Sequence, residues 1–493
     1  MPVSTSDTSP DVPAVDGPTP GRRAIDRLDP RIVNILTVLG FGLPVLGYFF
    51  LVGHYGVNVI VGDQFDDVTV IRHTYAHLFD WSALWAQHNE NRIFFPNLIV
   101  VLLARTTHFN IRVEEYLSAI LLVIATSLLI WAHKRRSPAT PWLYYCPVAI
   151  LALSVVQFEN ALWGFQLAWY LVLISLAIAV VLLDRPSLTW FVFVGAVASA
   201  VVGSFSSLQG LLIWPAGLVL LYHRQRPLLF MVSWIGAAVA TTILYFHNLD
   251  FRSSSGILRI GLQHPSGAFK FFLFAVGEIV GLRADRFDHG NRAVSLLGLI
   301  IVVLAVSVLV AYGIRRDPDG GSPIGVALIC VGLLFAATIS EGRSYFGYSG
   351  AGASRYTTFD LLIPIGIYLA LLGRPSIATN PRPSTLRRGA DRQGGASHDG
   401  PGWIDHVAIP AARWVIAAVI VVQIPFSIHY GVRAARQRYV GQEAAVQVLR
   451  HFDGATENSI EQLYVVHSPS FIRQQVRTAE HYHLSLFAGT IGS

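Results

Sequence analysis

The chain has 493 residues, of which 53% are hydrophobic and only 13% charged, and its mean hydropathy is +0.51. A soluble globular domain carries about 25% charged residues, so this composition excludes one and points to a bilayer. The formal charge of +6 would suit nucleic acid in a soluble chain, but here the basic residues mark loops between apolar runs, and no nucleic-acid partner is expected. Cys146 and Cys330 both sit in apolar runs, which leaves neither a disulfide framework nor a thiolate cluster.

Residues 1–30 are rich in Pro, Ser, Thr and Asp without an apolar period and read as a disordered cytoplasmic N-terminus. The first apolar run, 32–52, is too long for a signal-peptide core. It follows Arg22, Arg23, Arg27 and Arg31, which places the N-terminus in the cytoplasm by the positive-inside rule. The next stretch, IFFPNLIVVLLARTTHF, decides the topology. If it crossed, the HKRR run at 133–136 would emerge outside; as a helix in the outer interface, kinked near Pro96, it leaves every basic cluster inside.

Spans are then expected near 113–131, 142–157, 165–183, 189–205, 209–222, 228–246, 293–314, 323–340 and 357–373, with a second short apolar helix near 268–282 that need not cross. Residues 374–408 read as a flexible cytoplasmic linker and 409–428 as the last span. Residues 429–493 are left as a small extracytoplasmic C-terminal segment, helix-like apart from a strand-like QLYVVH. This segment is too short to bury a large core alone and is expected to pack on the outer loops, either binding the acceptor or acting as a stabilising lid. The expected fold is an all-α polytopic membrane protein with about eleven transmembrane helices. Its transmembrane module covers 31–373, with outer loops at 54–112 and 247–292. Lys134 and Lys270 are the only lysines, an arginine bias that suits a GC-rich bacterial genome and hence a bacterial inner membrane.

The polar residues gather in the outer loops. Asp63, Asp66 and Asp67 lie within five positions, and a helix starting at Asp63 would put all three on one face. Like charges so placed call for a cation or substrate to organise them, although aspartate also caps helix N-termini. The run His88, Asn89, Glu90, Asn91, Arg92 combines imidazole, carboxylate and guanidinium, a set open to a divalent ion, a phosphate or a sugar. A metal, if one is used, would draw on Asp63, Asp66, His88 and Glu90. FENALWGFQ brings Glu159, Trp163 and Gln166 to a span end where only apolar residues are needed; Trp163 also fits an interfacial belt. Arg343 and Arg355 flank a glycine-rich loop ending in Tyr356, where a guanidinium fork suits phosphate, and headgroup contact is the plainer account.

GDQFDD at 62–67, after the first span, followed by FFPNLIVVLLARTTHFNIRVEEYLSAILL, resembles integral-membrane glycosyltransferases of the GT-C superfamily. Architecture resembles that family over about 30–430, motif only over the first hundred or so residues. The usual Asp-Glu pair is replaced by Asp63-Gln64, with Asp66-Asp67 three places on. The resemblance implies sugar transfer from a polyprenyl-phosphate donor, with inversion, to an envelope glycan, lipid or protein acceptor at the extracytoplasmic face. It further implies a catalytic aspartate, acting as general base, among Asp63, Asp66 and Asp67, with Asp63 in the leading position, and donor or acceptor contacts are expected from His88, Asn89, Glu90, Arg92, Glu159, Trp163, Gln166, Arg343, Arg355 and Tyr356. The rival readings are a transporter or flippase of lipid-linked saccharides, which would place ionisable residues at membrane depth, and a non-catalytic envelope scaffold. Convergence of Asp63, Asp66, Glu90, Glu159, Arg343 and Arg355 on one cavity separates the first reading from the others.

Overall fold

The structure, a computed structural model, describes residues 28–76, 80–250, 263–282, 288–313, 322–372, 409–464 and 467–489. The expected linker at 374–408 and nearly all of the expected disordered N-terminus fall outside these residues.

The first helix, α1 (Pro30–Tyr55), starts where Asp29 accepts the Arg31 amide at 2.7 Å and Pro30 opens the first turn. The first loop then holds α2 (Gln64–Ala76), the two-residue strands β1 (Gln87–His88) and β2 (Asn91–Arg92), and α3 (Phe94–Thr107). Next come α4 (Ile111–Arg136), the broken span α5 (Trp142–Ala161) and α6 (Gly164–Leu183). The shorter α7 (Trp190–Ser204) and α8 (Leu208–His223) lead to α9 (Leu228–Phe246), α10 (Pro265–Gly277) and α11 (Asn291–Tyr312). The chain continues through α12 (Ser322–Arg343), α13 (Ser354–Leu372), α14 (Ile409–Arg450) and α15 (Pro469–His481).

Nine of the described helices are long and apolar enough to cross a membrane, and α7 and α8 are shorter apolar helices at the places of two further expected spans. The protein is an all-α, multi-pass membrane protein. In α6 and α13, 78% and 83% of the apolar window is buried, against 17% in α1 and 22% in α9, so the former pair forms the centre and the latter faces lipid.

Two sets of contacts define the ends of the bundle. At one end Asp184 is fully buried and receives Arg135 at 3.3 Å, Arg136 at 3.2 Å and Arg224 at 2.7 Å. Three basic loops are thereby gathered on one side, as the arginine distribution required. At the other end α3 returns to the face it left: Phe95 donates to the Phe205 carbonyl at 3.2 Å, and Arg105 to the Thr74 carbonyl at 3.0 Å. Both ends of α3 therefore meet the same polar face, and the helix lies along it.

Two expected boundaries move. The last helix does not stop at 428 but runs unbroken to Arg450, because the stretch after Pro425 is rich in Ala, Arg and Gln and offers no stop signal. QLYVVH is no strand in its described part; a short helix, Glu457–Glu461, leads into a turn at Gln462 and Leu463. Val446, Leu449, Ile460, Ile472 and Val476 from this tail form one core with Val59, Phe65, Val68 and Phe109 of the first loop. The tail thus gains a core by sharing it, which its size demanded.

Candidate functional site

The polar face carries two linked groups of charged residues. The first is built on α2. This helix begins at Gln64, one residue later than a shared face for the three aspartates requires, so Asp63 stands in the preceding turn. Gly62 makes that turn with φ +60°, and Trp163 lies so close that a Cβ there would sit 3.1 Å from its ring. Asp63 and Asp66 point to the polar surface, with 24% and 29% side-chain exposure, whereas Asp67 is buried. Burial above all, then the neighbouring Glu114 carboxylate, pushes the Asp67 carboxyl well above the usual carboxylate range. The three aspartates therefore do not act as one face. Asp67 instead lines a small crevice with Ile93, Pro96, Val100 and Leu167.

HNENR forms a hairpin turn. Gln87 pairs with Arg92 and His88 with Asn91 in antiparallel register, and exposed Asn89 takes the left-handed conformation that asparagine tolerates, with φ +48°. The Asn91 side-chain oxygen fastens the hairpin to the next loop by accepting from Leu208 N at 2.9 Å and Ser207 Oγ at 3.1 Å. This brings His88 over the Phe165 ring at 4.8 Å, with Nδ1 3.5 Å from Asp66 and Nε2 3.9 Å from Asp63. Burial raises the Asp66 carboxyl and His88 opposes that rise. Asp63, Asp66 and His88 offer ligand atoms within 4.8 Å of one another, a mixed oxygen and nitrogen set able to hold a divalent cation. Glu90 is not part of that set; it lies within electrostatic range of Tyr245 and Tyr345.

Arg92 is turned away from the acids. It is buried and donates to the carbonyls of Trp85 at 2.9 Å and His247 at 2.8 Å while lying over the Trp85 ring. Its guanidinium fastens loops together in this arrangement.

The second group centres on Glu159 and Arg355, paired at 2.7 Å, with the Arg355 amide donating to the other carboxylate oxygen at 3.2 Å. Ser354 Oγ accepts from the Glu159 amide, and Asn160 donates to the Arg355 carbonyl and to Thr358 Oγ1, so both backbones are cross-bonded as well. Trp163 bridges the two groups. One edge of its indole touches Gly62, and the Arg438 guanidinium lies 5.5 Å from the ring centroid. Arg438 is within electrostatic range of Glu159 and Arg355. Gln166 is buried, and Tyr356 turns into the core against Trp169 and Phe335. Arg343 lies at the end of α12, within electrostatic range of Tyr345. Of the six residues whose meeting was in question, Asp63 and Asp66 form one cluster, Glu159 and Arg355 the adjoining one, and Glu90 and Arg343 approach through Tyr345.

Several residues of this face were not singled out from sequence. Tyr464 donates to Asp63 Oδ1 at 2.8 Å and contacts Asp66 Oδ2 at 2.9 Å, and His467 reaches to 3.8 Å from Asp66. Nothing in the local pattern near 464 marks it. Arg438 and Gln442 both donate to the Leu162 carbonyl at 3.1 Å, a one-turn spacing that was readable. The adjacent acids Glu114 and Glu115, at the head of a span and fully buried, were a visible signal as well.

No family model matches the chain, and no curated protein matches it. Among solved structures, the chain is similar to the crystal structure of ArnT from Cupriavidus metallidurans bound to undecaprenyl phosphate, over 91% of this chain and 77% of that one, at 16% identity and a TM-score of 0.40.

Proposed function

We propose that this protein is a GT-C-type glycosyltransferase that moves a sugar from a polyprenyl-phosphate donor to a hydroxyl of an envelope glycan, lipid or protein at the extracytoplasmic face of a bacterial inner membrane. The observation that carries the reading is the surface pair of carboxylates, Asp63 and Asp66, beside His88 and next to the Glu159–Arg355 pair.

An alcohol has a pKa far above neutrality and needs a base to become a nucleophile. In the proposed step the acceptor oxygen attacks the anomeric carbon opposite the phosphate, its proton passes to Asp63, and the bond from the anomeric carbon to the phosphate oxygen breaks. The configuration inverts and polyprenyl phosphate leaves. Arg355, released from Glu159, takes the phosphate charge. A divalent cation held by Asp63, Asp66 and His88 would supply further charge stabilisation to the leaving phosphate.

The test is transfer from radiolabelled polyprenyl-phosphate sugars in membranes carrying Asp63→Asn, Asp66→Asn and Asp67→Asn. Wild-type rates in all three would end this reading. One observation favours the transporter reading: Asp360, in α13, is fully buried, and neither carboxyl oxygen has a hydrogen-bond partner among the described residues. Retained glycan export with no transfer would support that alternative.

A further inference from the structure

We infer that the segment after α14 is a working part of the acid site, with Tyr464 as the positioning residue that sets the spacing of Asp63 and Asp66. The inference rests on the transferase reading given above.

Two carboxyl groups with oxygens within 4.8 Å of each other are free to turn apart unless something ties them, and an alcohol can meet the intended oxygen only if the pair holds still. A phenol hydroxyl has one proton to give and two lone pairs. Tyr464 gives that proton to Asp63 Oδ1 at 2.8 Å and turns a lone pair to Asp66 Oδ2 at 2.9 Å, a contact that a proton on Asp66 completes, and Asp63 Oδ2 is left for the acceptor.

The phenol is itself held on the same turn as the acids. The Gly62 amide, one residue before Asp63, donates to the Leu463 carbonyl at 2.9 Å, so the backbone bearing Tyr464 is bonded to the backbone bearing the acid. The Tyr464 ring stacks on Phe65 at 6.3 Å, and His467 covers its other side at 4.7 Å while resting on Phe471. Behind these contacts lies the core shared by the tail and the first loop. Among the described residues the tail's interior is this shared core, so the tail cannot leave the acids without disrupting it. A lid that merely covered the site would need no hydroxyl between the carboxylates.

Tyr464→Phe keeps the ring, its stacking and the backbone bond, and removes only the hydroxyl. With polyprenyl-phosphate donors carrying radiolabelled glucose, mannose, galactose or arabinose, this variant should lose about tenfold in kcat, the scale of one hydrogen bond to a charged group. Donor KM should stay at the wild-type value, and the thermal midpoint in detergent should fall by no more than about 2 °C, the scale of one lost hydrogen bond in a chain of this size. Wild-type kcat, or a kcat loss accompanied by a larger fall in thermal midpoint, overturns the inference.

If the wild-type protein transfers none of these sugars, that result counts against the transferase reading with these donors and leaves the contact itself to be tested without transfer. The positioning contact is then read from a double-mutant cycle on the thermal midpoint, combining Tyr464→Phe with Asp66→Asn. Non-additive effects support the contact, and additive effects refute it.

Discussion

Glu159 and Arg355, 196 positions apart, meet in a 2.7 Å ion pair that closes the end of α5 against the start of α13. A fork of N–H donors that already holds one carboxylate is also shaped to hold a phosphate. Arg355→Ala should weaken binding of a polyprenyl-phosphate donor by about tenfold to a hundredfold, the equivalent of ~1.5–3 kcal/mol for a charged hydrogen bond. Arg355→Lys should restore only part of that, because a point charge replaces the fork. Unchanged donor affinity in both variants would remove this pair from the site.

Asp63 and Asp67 should separate cleanly in rate assays. As general base, Asp63 should lose about 10² to 10⁴ in transfer rate on change to Asn. Asp67 is buried with its carboxyl pushed well above the usual carboxylate range, an environment that disfavours the charge, so Asp67→Asn, which keeps the shape without a charge, should keep a rate within a few fold of wild type. The reverse order would reassign the base.

The same residue predicts a pH-dependent stability. Its folded-state pKa lies above the unfolded value, so its contribution is full below the ordinary carboxylate range and is lost as pH rises through the raised value. Asp67→Asn removes that loss. Its thermal midpoint should match wild type in acid and exceed it at alkaline pH; a constant difference across the range would contradict the assignment.

Labelling of single cysteines from either side of intact cells checks the topology. Cysteine at Thr106 and at Asp453, both exposed on the polar face, should react from outside, and cysteine at Ala139 only after permeabilisation. Reaction of the Thr106 position only after permeabilisation and of the Ala139 position from outside would mean that α3 crosses.

Gly62→Ala should destabilise by about 1–2 kcal/mol, since a left-handed conformation is costly for an L side chain and the new methyl meets Trp163. Because that residue precedes Asp63, the transfer rate should fall as well. A variant with a wild-type thermal midpoint would show that the turn can rearrange.

The spans were readable because most are long apolar runs, and the grouping of the basic loops at one end because their arginines are drawn together on Asp184. The first-loop acids and Glu159 stood out for the same reason, as charges where apolar residues would suffice. What was not readable depends on tertiary distance. A one-residue shift in the start of α2 separates Asp67 from Asp63 and Asp66, and no spacing rule fixes a helix start that closely. Arg92 carries the same charge as Arg355, yet backbone carbonyls claim it, which only the path of the neighbouring loops determines. Tyr464 is an ordinary residue in an ordinary stretch until the tail folds back.

The hydrogen bond from Tyr464 to Asp63 spans 401 positions of sequence, and the whole of α14 lies between the tyrosine and the rest of the bundle. During synthesis the acid loop is therefore made long before the residue that bonds it. A chain stalled before α14 holds Asp63 and Asp66 without that hydroxyl, so the arrangement of the two acids is a late event in the folding of this protein.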